Sequence, residues 1–296
     1  MKKVYICIVF SAFLFGTMNV SLKIAGASFD PLQLTFIRFL IGGLILLPFA
    51  MPDLKRGRIK LHGKDLLYLL FLGIICIPIS MILFQLGIDN MNASTSAVLF
   101  CINPIFTMIF ACTLSNEKFT KGRAAAVIIA AAGFIFMVKP WDLDPGNTIK
   151  GCVLMLLSAI TFSLYSVLGK SMIKKVGAVT TTSMSFIFGS VVLLIPIMIM
   201  KKPVLAGIAQ NIPIILYVGI LVTGLGYLLY FMAIRWSDAS TGSIVFFLKP
   251  AIAPVVAVIV LHEVLLWNSY LGIALMLAAS YVNLRESKKI SGPRVG

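Results

Sequence analysis

Long apolar runs separated by short polar breaks fill the chain from end to end. A bilayer core of about 30 Å needs about 20 consecutive apolar residues to be crossed by a helix. Ten such runs can be drawn, at 4–24, 31–50, 66–87, 92–113, 121–139, 149–170, 179–200, 211–233, 239–262 and 267–284. The breaks are short, so neighbouring helices run antiparallel and nothing is left over for a soluble domain. The first run follows Lys2 and Lys3 as in a signal peptide, but it extends to about Ala25, too long for such a segment. The pattern predicts an all-α integral membrane protein of ten transmembrane helices.

Two of the runs are copies. Residues 93–117 read ASTSAVLFCINPIFTMIFACTLSNE and residues 239–263 read ASTGSIVFFLKPAIAPVVAVIVLHE. An offset of 146 aligns Phe100 with Phe246, Pro104 with Pro250, Ala111 with Ala257 and Glu117 with Glu263, and sets Asn103 against Lys249. Ser11-Ala12 and Lys23 recur as Ser158-Ala159 and Lys170 at an offset of 147, and Gly73 recurs as Gly219 at 146. Each copy holds five helices, an odd number, so the second enters the membrane from the opposite side. Such inverted repeats place a substrate near mid-membrane between the halves. The expected division is a first repeat over 1–139, a linker over 140–150 with the turn Asp144-Pro145-Gly146, a second repeat over 151–286 and a tail over 287–296.

Composition agrees: 60% of the 296 residues are hydrophobic, 12% are charged, and mean hydropathy is +1.04. The net charge of +15 does not signal nucleic-acid binding, because the cations sit in short loops rather than on one face of a domain. Of 25 lysines and arginines, Arg38 and Lys249 lie inside spans. Lys23, Lys139, Lys150, Lys201 and Lys202 fall on one side, and the other 18 share the side of the N-terminus. The excess puts both termini in the cytoplasm. The five cysteines lie within apolar runs with no CxxC spacing and read as packing residues. Trp141, Trp236 and Trp267 fall at span ends, as interfacial anchors do. Small residues on the fifth span (Gly122, Ala126, Ala130, Gly133) and the tenth (Gly272, Ala278, Ala279) suit close helix packing.

Lys249 is the main candidate for chemistry. A charge at mid-span costs about 2.5–3.5 kcal/mol on insertion scales, and intramembrane ionisable groups mark substrate paths. Pro250 and Pro254 each remove a backbone donor, so the helix is expected to bend or open beside the charge, with Pro104 acting alike in the first copy. The alternative is that Lys249 snorkels or pairs with a neighbouring helix. Arg38 could meet an anionic cargo, or tie its helix to neighbouring carbonyls. Asn103 could contact a ligand or hydrogen-bond between helices. Asn19, Gln85, Tyr165, Thr223 and Tyr227 are further polar or amphipathic groups within spans and together suggest a mildly polar cavity. Glu117 and Glu263 end their helices, where each could close a gate or bond a neighbouring helix N-terminus. All ten acidic residues fall in loops or at span ends, so no mid-membrane carboxylate can relay protons. No Walker motif, metal cluster or Ser/His/Asp set is present in the sequence.

Phe36-Ile37-Arg38-Phe39, Asn103-Pro104 through Glu117, and Lys249-Pro250 through Glu263 together resemble the drug/metabolite transporter superfamily, and within it the EamA-type metabolite and amino-acid exporters. That resemblance covers the whole chain. It implies a central cavity lined by the third, fourth, eighth and ninth helices, with the first and sixth contributing. It also implies export across a bacterial cytoplasmic membrane. The reading is a secondary carrier, not an enzyme, that moves a small carboxylate- or phosphate-bearing metabolite by alternating access; the alternative is a membrane-embedded lipid- or metabolite-modifying enzyme. The expected partners are a small-molecule substrate and the lipid bilayer, with no nucleic acid, no cofactor and no metal; homodimerisation is left open.

Overall fold

The computed structural model describes residues 2–55, 61–114, 120–236 and 244–291. All regular structure among them is helical. In chain order the helices are α1 (Lys2–Gly26), α2 (Pro31–Lys55), α3 (Gly63–Asp89), α4 (Ala93–Leu114), α5 (Lys121–Val138) and α6 (Ile149–Val176). They continue as α7 (Ala178–Ile199), α8 (Ile212–Ala233, its last turn reaching Trp236), α9 (Ile244–Leu261) and α10 (Trp267–Ser291). The first eight are long and apolar enough to cross a membrane, and α9 contains a shorter apolar helix, Leu248–Leu261. Large apolar side chains such as Ile128, Met198 and Ile259 face outward, as lipid contact requires. Trp141, Trp236 and Trp267 are exposed beside helix ends.

Backbone that leaves the α-helical pattern does so at particular residues. In α3 the segment Ile75–Met81 is π-helical and contains Pro78, which has no N–H to give. In α8 the segment Tyr217–Leu225 is also π-helical, and Thr223 Oγ1 donates to Val218 O at 2.7 Å. An offset of 146 overlaps the two segments. The α4 helix breaks at Cys101–Ile102 and restarts at Asn103-Pro104, where proline at a helix start gives up a donor that is unused there anyway. Of the two expectations for α9, a bend or an opening, the opening is not found. The helix runs without interruption through Pro250 and Pro254, so it is not opened beside Lys249. Each proline removes a single ladder bond, and the flanking turns hold the rest.

Packing pairs helices in matched sets. The α1 helix packs on α9 and α8, while α6 packs on α4 and α3; α2 packs on α8 as α7 packs on α3. The α2–α7, α4–α9 and α5–α10 pairs complete the assembly. One hydrogen bond occurs twice: Ser11 Oγ donates to Gly226 O at 3.0 Å between α1 and α8, and Ser158 Oγ donates to Ser80 O at 2.8 Å between α6 and α3. Ser80 and Gly226 are 146 apart, Ser11 and Ser158 are 147 apart. At the α5–α10 contact, a Cβ on Gly272 would lie 2.8 Å from Met137 Cβ, and one on Gly133 3.0 Å from Leu275 Cβ. The expected small-residue seam is therefore occupied by backbone approach.

Gly73 of α3 is the tightest test of this packing, because a Cβ there would stand 2.6 Å from Ser185 O and 2.8 Å from Gly189 N of α7, both backbone atoms that cannot swing aside. Gly73→Ala should destabilise the protein by about 1–3 kcal/mol, the usual cost of overpacking. Gly169→Ala meets nothing within 4 Å and should be neutral or stabilising by about 0.5–1 kcal/mol. Melting of the two variants in detergent checks this; equal melting would refute close packing of α3 on α7.

Candidate functional site

Lys249 lies in α9 with 3% of its surface exposed. Its Nζ sits 5.8 Å from the Phe84 ring centre and 5.2 Å from that of Phe100, the range of a cation–π contact. Among the described residues it forms no hydrogen bond and no ion pair. Arg38 of α2 is equally enclosed, at 1% exposure. Its guanidinium carbon stands 4.3 Å from the Phe39 ring centre and 5.9 Å from that of Phe84. Its hydrogen bond is a weak one, Nη2 to Met81 Sδ at 3.7 Å, and its Nε has no partner. Among the described residues no carboxylate or helix-end carbonyl takes it up, and both cations flank one aromatic ring without an anion.

The repeat-matched positions explain why these two stand unpaired. Asn103, the counterpart of Lys249, is held in place: Nδ2 donates to Ala159 O at 3.1 Å and to Ser163 Oγ at 2.8 Å, and Thr107 Oγ1 donates to Oδ1 at 3.4 Å. In the other copy the position of Ser163 is occupied by Gly16, 147 residues earlier. Gly16 has no hydroxyl to offer, and Ile252 fills the space a side chain would need, 2.5 Å from an ideal Cβ. The hydroxyl that fixes Asn103 thus has no counterpart at the repeat-matched position. Arg38 likewise matches neutral Ser185 at an offset of 147, while their neighbours Phe39 and Phe186 meet edge to face at 4.7 Å.

Aromatic rings line the same region. Phe84 meets Phe100 at 4.7 Å, Phe100 meets Phe162 at 5.6 Å, and Phe162 meets Tyr165 at 5.6 Å. On the other side Tyr227 contacts Phe186 at 5.3 Å and Phe15 at 5.0 Å. The structure thus gathers Arg38, Lys249, Tyr165 and Tyr227 around one aromatic cluster. The remaining candidates tie helices together. Asn19 Nδ2 donates to Ser96 Oγ at 2.9 Å, linking α1 to α4, and Gln85 Nε2 donates to Leu22 O of α1 at 3.4 Å besides its bond to Asp89 Oδ1 within α3. Thr223 serves the π-helical segment of α8. Glu117 lies outside the described residues, as do 239–243 at the start of the ninth run. A separate cleft of about 280 Å³, lined by Phe36, Ile41, Ile208, Ile215 and other apolar side chains, holds neither cation.

Glu263 bonds a helix N-terminus. Its Oε1 accepts from Ala93 N at 2.5 Å; its Oε2 accepts from Ser94 N at 3.0 Å and Ser94 Oγ at 2.5 Å. These are the free donors of the first turn of α4, where the helix dipole also favours an anion. Around this clasp the same face is closed by further bonds: Lys23 Nζ donates to Ile88 O and Met91 O, Asn92 N to Asn147 Oδ1, and Asn268 Nδ2 to Asp144 Oδ2. His262, at φ 54°, turns the chain so that Glu263 points back at α4. Sequence reasoning missed Phe84 as the ring shared by the cations and Gly16 as the counterpart of Ser163; aligning the first and sixth runs at 147 through to residue 16 was the signal for the latter.

The EamA-like transporter family matches residues 2–139 and again 149–285. A protein of Clostridium kluyveri described as an uncharacterized transporter is 36% identical over 296 residues, covering 98% of this chain and 95% of its own. Another of the same description from Archaeoglobus fulgidus is 26% identical over 286 residues, covering 97% and 100%. One solved crystal structure superposes with a TM-score of 0.67 over 100% of this chain and 99% of its own, at 14% identity, and so shares the fold. With the family matched along nearly all of its length and apolar helices built to cross a bilayer, the chain belongs to the EamA-like transporter family of the drug/metabolite transporter superfamily and is a multi-pass membrane transporter.

Proposed function

We propose that the protein is a secondary carrier that moves a small carboxylate- or phosphate-bearing metabolite, amino-acid-like solutes among them, outward across the cytoplasmic membrane. The cargo's anionic group pairs with Lys249. One observation carries this reading: a buried ammonium with no hydrogen bond or ion pair among the described residues, at a position whose repeat mate is hydrogen-bonded. An unpaired charge in an apolar interior is costly, and a site that keeps one is suited to a ligand that completes it.

Alternating access around that site is supported by the signs of an inverted repeat: the family matched twice, the doubled serine bond, and the overlapping π-helical segments. Ten spans with both termini cytoplasmic follow from five helices per repeat and the lopsided cations. In that orientation the Glu263 clasp lies on the outer face and serves as a gate there.

Two measurements test the reading. A cysteine placed in the 139–150 linker should label from outside intact cells, and one in the 55–64 loop should not; the reverse pattern would overturn the orientation. Lys249→Met keeps length and apolarity while removing the charge, so the variant should melt no lower than the wild type in detergent. Its affinity for an anionic cargo should fall by about 1.5–3 kcal/mol, roughly ten- to hundredfold. Wild-type affinity in a well-folded variant would remove Lys249 from the site.

A further inference from the structure

We infer that the cargo is a compact dianion, a phosphate monoester or a dicarboxylate, held between Lys249 and Arg38. The inference rests on the carrier reading above and narrows its substrate.

The two cations come from different repeats and converge on the same ring. Arg38 Cζ is 5.9 Å and Lys249 Nζ 5.8 Å from the centre of Phe84, which places them within about 12 Å of one another. That limit is reached only with the Phe84 ring directly between them; around the edge of the ring the two lie closer, at a separation a compact dianion bridges with hydrogen bonds of about 2.8 Å to each cation. Arg38 keeps its forked donors free: Nε has no partner, and Nη2 reaches only a thioether sulfur. A guanidinium fork is matched to carboxylate and phosphate geometry, while a lysine ammonium acts as a point charge. The described residues around the pair supply rings, not anions.

Charge balance then selects the cargo. A monoanion neutralises one cation and leaves the other buried and uncompensated. An α-amino acid does worse, because its own ammonium enters a site that already holds two positive charges. A dianion brings the site to neutrality. Both neutral counterparts, Asn103 and Ser185, show that the fold itself does not require charge at these places.

The test uses purified full-length protein in detergent at about pH 8, where a phosphate monoester is doubly charged. Ligand-dependent melting is followed for two matched pairs: methyl phosphate against dimethyl phosphate, and succinate against succinamate. The dianion of each pair should stabilise the protein at concentrations at least tenfold below its monoanionic analogue. Arg38→Gln should erase that distinction, and Arg38→Lys should retain part of it. The wild-type comparison stands even if an arginine variant does not fold. Equal potency of monoanion and dianion, with binding still lost in Lys249→Met, would overturn the dianion while leaving the anion carrier intact. No response to any of the four probes would overturn both.

Discussion

Hydrocarbon offers no hydrogen bonds, and that constraint organises this molecule. Every backbone donor within the apolar runs is best satisfied inside its own helix, so the described regular structure is helical. Where the helical pattern is left, a particular atom covers the gap. Thr223 bonds the carbonyl five residues back in the π-helical stretch of α8, and Ser163 accepts from Asn103 beside the break in α4 while its own hydroxyl bonds the Asn103 carbonyl. Two buried cations stand out against that background, because among the described residues their contacts are aromatic rings and one thioether sulfur rather than an anion.

Those cations sit where the halves of the chain differ. The doubled bonds, Ser11 to Gly226 and Ser158 to Ser80, show the halves using one packing scheme. A duplicated scaffold supplies rigidity twice over, and its symmetric positions are free to diverge. Asn103 bonds Ser163, whereas the repeat-matched positions carry Lys249 and Gly16, so one difference adds a charge and the other offers no hydroxyl. Packing explains the glycine independently: Ile252 occupies the space, and α1 approaches α9 closely there. The same difference that tightens the helix contact leaves no hydroxyl at the position matched to Ser163.

The Glu263 clasp belongs to the same logic at the membrane boundary. A carboxylate there is cheap to hold because water is near, yet it engages three donors of α4 at once. It joins α9, which carries Lys249, to α4, which carries Phe100, so movement at the helix ends is coupled to the walls of the site.

The sequence by itself determined the helical class, the positions of nearly all the runs, the duplication and the candidate cations, because burial in lipid writes itself as unbroken apolarity and a duplicated segment as a fixed offset. Glu263 as a helix-terminus ligand was also legible, from its place after the last apolar residue. Only the tertiary structure decided which polar groups are already spent. Asn103 and Thr223 look as available as Lys249 in the sequence, but their partners lie far along the chain or in a shifted helical register, and Asn19 has its Nδ2 engaged by Ser96. The prolines of α9 misled for a related reason: a missing donor is visible in the sequence, whereas the flanking turns that carry the helix past it depend on packing. Phe84 shared by Arg38 and Lys249 is a contact of three separate helices, and no periodicity along one chain encodes that meeting; it follows from how α2, α3 and α9 close on one another.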